Sequence, residues 1–90
     1  MPTILLPRQL ARFTDGQSRL TRDADNLHAL VSRLCEEFPS LRDAVLDGKG
    51  RISPFVGVFV DAVQLGDEDP ATIALSPASS VQLVAAVAGG

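Results

Sequence analysis

The sequence predicts one α+β domain in which an amphipathic helix packs on a β-sheet, and three observations carry that prediction. Leu27, Leu30, Val31, Leu34, Cys35 and Phe38 recur at alternating spacings of three and four, which marks one buried helical face. Phe55-Val56-Gly57-Val58-Phe59-Val60 is an unbroken β-branched and aromatic run between Pro54 and Asp61, the composition and length of a central strand. A chain of 90 residues is too short to divide its core in two, so helix and strand must share one.

The remaining elements follow in order. Thr3-Ile4-Leu5-Leu6 reads as a first strand closed by Pro7, and Asp15-Gly16 as the turn before a second strand around Gln17 to Thr21, which together make an opening hairpin. Asn26 is placed to cap the helix, because its side chain can accept a free N–H of the first turn, and Pro39 forbids continuation past Phe38. The helix is therefore expected over Leu27 to Phe38. Leu41, Ala44, Val45 and Leu46 suggest one further turn of helix, ended by the loop Asp47-Gly48-Lys49-Gly50. In the central strand Val56, Val58 and Val60 share the side that packs on the helix, and Phe55, Gly57 and Phe59 share the other. Asp61-Ala62 is a weak turn before a brief strand, Val63-Gln64-Leu65. Gly66 to Ser80 is loop-like, with Asp67-Glu68-Asp69-Pro70 and Ser76-Pro77-Ala78-Ser79-Ser80, and Val81-Gln82-Leu83-Val84 forms the last strand. The order is β-β-α-β-β in two layers.

Composition excludes several classes of function. A formal charge of −3 does not suit a phosphate-backbone partner, which calls for a basic stripe, so no nucleic acid is expected. No apolar stretch approaches the roughly 20 residues of a membrane-spanning helix, so no membrane is expected either. One cysteine forms no internal disulfide, and the run Ile4-Leu5-Leu6 is far too short for a signal peptide, so the expected address is the cytoplasm. The single histidine, His28, lies off the apolar stripe, so no metal set and no Ser-His-Asp site can be assembled around it. Cys35 lies on the apolar face, where a free cysteine behaves as a small buried hydrophobe. Gly48-Lys49-Gly50 lacks the spacing and the following Ser or Thr of a phosphate loop and reads as a turn.

The chemistry-bearing feature is the end of the chain, Val87-Ala88-Gly89-Gly90. Two glycines without Cβ can thread a channel too narrow for any side chain, and they present a carboxylate on Gly90. With glycine at about 7% of residues, a chance Gly-Gly at a given place has odds of roughly one in two hundred. The expected organisation is a domain over residues 1–84 and a flexible tail over 85–90. Phe55 and Phe59, on the face away from the helix, either form an exposed docking patch or are shielded by the loop from Gly66 to Ser80.

That order of elements, Phe38-Pro39-Ser40-Leu41 at the helix end, the run Phe55 to Val60, and Val84-Ala85-Ala86-Val87-Ala88-Gly89-Gly90 at the close resemble the ubiquitin-like β-grasp sulfur carriers. That is the family of the molybdopterin synthase small subunit and the thiamine-pathway sulfur carrier. The tail is most similar to carriers that give sulfur to cysteine synthesis. The sequence departs from that family at Gly57 and Asp61, where members often carry Asn, at Ala62, where they carry Gly, near Ser79-Ser80, where they carry a Gly-Asp turn, and at Ala85, where they carry Pro. The resemblance implies a mixed sheet of four to five strands packed on one main helix. It also implies a carrier rather than an enzyme, with no bound cofactor. An adenylating and sulfur-transferring enzyme of the ubiquitin-activating type uses ATP to activate Gly90. Gly90, with Gly89 beside it at the reacting end, then becomes a thiocarboxylate and passes sulfide to an acceptor synthase. Phe55 and Phe59, from their place on the outer face, and Val87 and Ala88 of the tail are expected to meet these partners. The same tail suits a molybdopterin synthase small subunit or, in a different class, a ubiquitin-like modifier joined through Gly90 to a lysine, and a third class, a β-grasp binding module with an inert tail, predicts indifference to deletion of Gly89-Gly90.

Overall fold

A computed structural model describes residues 1–85. Five strands form one mixed sheet in the order β2-β1-β5-β3-β4: β1 (Thr3–Leu5), β2 (Arg19–Thr21), β3 (Val56–Val60), β4 (Val63–Gln64) and β5 (Ser80–Ala85). β1 pairs antiparallel with β2, setting Ile4 against Leu20, and parallel with β5, setting Ile4 against Val81. A parallel pair needs a long crossover, and here the whole chain between the two strands supplies it. Among the described residues three helices accompany the sheet: α1 (Arg8–Ala11), α2 (Leu27–Glu37) and α3 (Pro39–Val45).

α2 forms as its periodicity predicts. Leu27, Leu30, Val31, Leu34 and Cys35 are buried, and Asn26 caps the helix, its Oδ1 accepting the Ala29 N–H at 2.8 Å. That face meets Ile4, Leu20, Val58, Val81 and Leu83 of the sheet in one core with Leu41 and Val45 of α3. The expected single turn after Pro39 is a seven-residue helix. Phe38 takes φ −128° and ψ 85° because the proline ring disfavours helical backbone just before it, while Pro39 itself suits the first helical position.

The opening strands are not joined by a simple hairpin. Between them lie α1 and a 3-10 turn, Arg12–Thr14, which bury Leu10, Ala11 and Thr14. The Thr14 hydroxyl lies 3.0 Å from the Ala11 carbonyl oxygen and 2.7 Å from that of Gln17, so a polar side chain in the core is satisfied. Asp15 and Gly16 then reverse the chain with φ of 57° and 80°, at the place the sequence predicts. The β3 strand starts at Val56, one residue later than expected, and β5 runs from Ser80 through Ala85.

β3 and β4 are joined by the two-residue turn Asp61-Ala62, with φ of 49° and 69°. Positive φ at both central positions is the hairpin turn that matches strand twist and normally uses Asn-Gly. Asp61 is held there by β5, since its Oδ1 accepts the Ser80 N–H and its own N–H donates to the Ser80 carbonyl, both at 2.8 Å. Ala62 has no such compensation, and a left-handed backbone costs a residue with Cβ about 1–2 kcal/mol. Ala62→Gly is therefore expected to stabilise the fold by about 1 kcal/mol after the larger unfolded-state entropy of glycine is subtracted. A urea midpoint that stays the same or falls would contradict that account.

Candidate functional site

The site predicted at the chain's end is built on β5, the central strand. β5 is bonded on one side to β1 and on the other to β3 through five consecutive pairs, from Val60 with Val81 to Val56 with Ala85. β1 reaches only as far as Gln82, so Leu83 to Ala85 are held on the β3 edge, where β5 ends with Ala85 against Val56. Val87, Ala88, Gly89 and Gly90, the tail residues singled out from the sequence, lie outside the described residues.

Val81 and Leu83 point from β5 into the core, at 0% and 2% exposed, while Val84 is 38% exposed on the opposite face. On that outer face Phe59 stands in register with Gln82 on one side and Gln64 on the other, and Gly57 stands opposite Val84. A Cβ at position 57 would sit 3.7 Å from the Val84 Cβ, so the missing side chain leaves a shallow notch beside Phe59. Phe59 is partly buried. Phe55 is 61% exposed and lies in the turn before β3, where its N–H donates to the Ser53 hydroxyl. The loop from Gly66 to Ser80 is anchored at the start of α2: Leu27 N–H donates to the Ile73 carbonyl and Leu75 N–H to that of Asp25, each at 2.9 Å. Leu75 is buried in the core.

The remaining candidates take the positions their chemistry predicts. Cys35 is buried, and the loss of water around it pushes the thiol's pKa up, against a smaller opposing pull from Arg42. Such a thiol packs rather than reacts. His28 is exposed on α2, 3.5 Å from the Ser32 hydroxyl, and no metal-binding group of three or more His, Cys, Asp or Glu occurs among the described residues. In the turn at Asp47-Gly48-Lys49-Gly50 the Asp47 carboxylate accepts the N–H groups of Lys49 at 2.8 Å and Arg51 at 3.0 Å. Those bonds, that to Arg51 foremost, hold the Asp47 carboxyl below its usual range. They also occupy the N–H groups that a phosphate loop would offer a ligand.

An ion pair with no signal in the sequence ties the residue after β2 to the end of α2. The Arg22 Nε donates to both oxygens of Glu37, at 2.8 and 3.0 Å, and its Nη1 donates to the Thr21 carbonyl at 2.7 Å. The hydrogen bond from Arg22 lowers the Glu37 carboxyl pKa, with attraction from Arg22 and Arg33 adding to it. A carboxyl depressed in the folded state contributes stability above its unfolded value of about 4.3 and loses it as pH falls through the folded value. Glu37→Gln is thus expected to lower the urea midpoint at pH 7, with the difference from the parent closing in acid. A difference that persists or widens below that window would locate the effect elsewhere.

No family model matches the chain. The sulfur carrier protein CysO of Mycobacterium tuberculosis is 27% identical over 90 residues, covering 98% of this chain and 97% of that one. Its crystal structure covers 97% of this chain and 100% of its own, with a TM-score of 0.83 at 24% identity. A chain of the Amycolatopsis orientalis BexX/CysO complex matches over 100% of both chains, with a TM-score of 0.84 at 17% identity. The small archaeal modifier protein 1 of Methanosarcina acetivorans covers 99% of this chain and 95% of its own, with a TM-score of 0.83 at 14% identity.

Proposed function

We propose that this chain, a relative of the ubiquitin-like β-grasp sulfur carriers, carries sulfur on its C-terminal Gly90 as a thiocarboxylate. The observation that supports this reading is the terminal Gly89-Gly90 following the central strand of a fold shared end to end with a sulfur carrier protein. The catalysis belongs to partner enzymes, and the chain is their co-substrate.

A carboxylate is a poor electrophile. Transfer of AMP from ATP makes Gly90 a mixed anhydride and releases pyrophosphate. The outer sulfur of a persulfide then attacks the Gly90 carbonyl carbon and displaces AMP, and a thiol cleaves the resulting S–S bond to leave the thiocarboxylate. That group is ionised at neutral pH, as the parent α-carboxyl already is, and its sulfur is a soft nucleophile towards an activated carbon. From Ala85 five further residues give the tail a reach of at most about 18 Å. That suffices to enter a partner's active site while the folded body stays outside. The acceptor in this reading belongs to cysteine formation or to a sulfur-containing natural product, and the work is done in the cytoplasm.

The test is the intact mass of the protein isolated from its own host, before and after a reagent that alkylates thiocarboxylates. A sulfur-for-oxygen increment on the C-terminal peptide is expected. A digest separates this from alkylation of Cys35, which the buried thiol resists in the folded chain. An unmodified terminus with the sulfur-transfer system present would overturn the reading, and conjugates through Gly90 to lysine would replace it with a protein modifier.

A further inference from the structure

We propose that the groove between α2 and the β3–β4 hairpin is a second docking surface, for a positively charged segment with an aliphatic anchor on the protein that acts on Gly90. The identity of that partner rests on the function proposed above; the groove and its preference for charge do not.

The groove is open and encloses about 900 Å³. Its floor is apolar: Val31 and Val58 are buried, and Val56 and Leu65 are partly buried. The partly exposed Val56 and Leu65 offer apolar surface that an aliphatic side chain from outside would cover. The rim is charged on one side by Asp67, Glu68 and Asp69. Glu68 and Asp69 accept the N–H groups of Gly66 and Ala71, each at 3.0 Å, so the loop holds its acids in place. None of the three is ion-paired among the described residues, where the carboxylate that is paired is Glu37. Arg51 also lines the groove and brings a positive charge to it, its backbone N–H donating to the Asp47 carboxylate at 3.0 Å.

The wider charge distribution points the same way. Residues 56–85 hold Asp61, Asp67, Glu68 and Asp69 and neither lysine nor arginine, whereas residues 1–22 hold Arg8, Arg12, Arg19 and Arg22 against Asp15. The acids from Asp61 to Asp69 leave the β4 side of the sheet negative, and a basic partner is drawn to it. Val56 in the groove floor is also the strand partner of Ala85, so a protein that engages the chain beyond Ala85 has the groove beside it.

The test uses the full chain and a triple variant, Asp67→Asn, Glu68→Gln, Asp69→Asn. It removes three charges yet keeps the oxygens that accept from Gly66 and Ala71. A synthetic peptide of alternating leucine and arginine is titrated against each while backbone amide shifts are followed. Shifts centred on Val31, Val56, Val58 and Leu65 are expected in the parent, with affinity about tenfold weaker in the variant at low salt. Shifts on the outer face around Phe59, equal affinity for the variant, or shifts that follow protein concentration without peptide would each overturn the proposal, the last assigning the groove to a second copy. With an adenylating enzyme, the variant's KM is expected to rise about tenfold at low salt with kcat unchanged. A KM within about twofold of the parent would remove the partner assignment. If the parent chain is not adenylated at all, the carrier function fails, and the peptide titration still decides the groove.

Discussion

A chain shortened by Gly90 is expected to lose adenylation and sulfur loading completely while unfolding at the same urea concentration as the full chain. The two halves of that result have separate causes. Loading fails because the reacting carbonyl carbon is displaced by one residue, about 3.5 Å of extended chain, and a shift of about 1 Å in a reacting group already costs some hundredfold in rate. The carboxylate left on Gly89 has the same chemistry but sits short of the nucleotide. Stability is unaffected because the core members among the described residues lie at or before Leu83, and the last strand pair, Val56 with Ala85, is retained. Mass spectrometry of the C-terminal peptide after incubation with ATP and the activating enzyme checks the first half, and a urea titration the second. Loading of the shortened chain at Gly89 would mean that the position of the carboxylate is not critical, and loading outside the C-terminal peptide that the glycine tail is not the reacting end.

Phe59→Asp is expected to abolish recognition by the activating enzyme, a loss of about a hundredfold or more in affinity, with the fold intact. The ring belongs to the outer face of the sheet, in a row with Gln64 and Gln82 and beside the notch at Gly57 and Val84. An aromatic side chain in such a patch is the kind of anchor whose removal costs about 2–4 kcal/mol at an interface, and a carboxylate in its place adds desolvation. The fold survives because Phe59 stands outside the helix-facing core of Val58, Val81 and Leu83. A binding titration reads the loss, and a urea midpoint separates it from unfolding. Adenylation at unchanged affinity would move the docking surface elsewhere, with exposed Phe55 next to be tested.

Legibility followed the range of the forces involved. α2 was readable to within one residue because periodicity, the Asn26 cap and the Pro39 stop are all local. β3 was readable because Pro54 and Asp61 bracket a run of Val and Phe. The segment from Arg8 to Thr14 was missed because four residues of α1 and three of the 3-10 turn carry too little period to register. What holds them is burial of Leu10, Ala11 and Thr14, a tertiary effect. The Arg22–Glu37 pair had no sequence signal, its members being fifteen positions apart. Asp61-Ala62 shows the converse: local preference argues against a left-handed pair there, and the bonds from Asp61 to Ser80 impose it.

Residue order alone therefore determined the helix with its cap and stop, the central strand with its two unlike faces, the burial of Cys35, and the Gly89-Gly90 ending on which the proposed chemistry rests. Each depends on neighbours within a few positions, where steric and hydrogen-bonding preferences act directly. Only the folded chain decided that β5 lies between β1 and β3, that the loop from Gly66 to Ser80 ties back to the start of α2, and that acids from that loop rim a groove floored by Val31 and Val58. Such pairings join residues tens of positions apart. They are chosen by how much apolar surface the whole chain buries at once, a quantity that no short stretch of sequence contains.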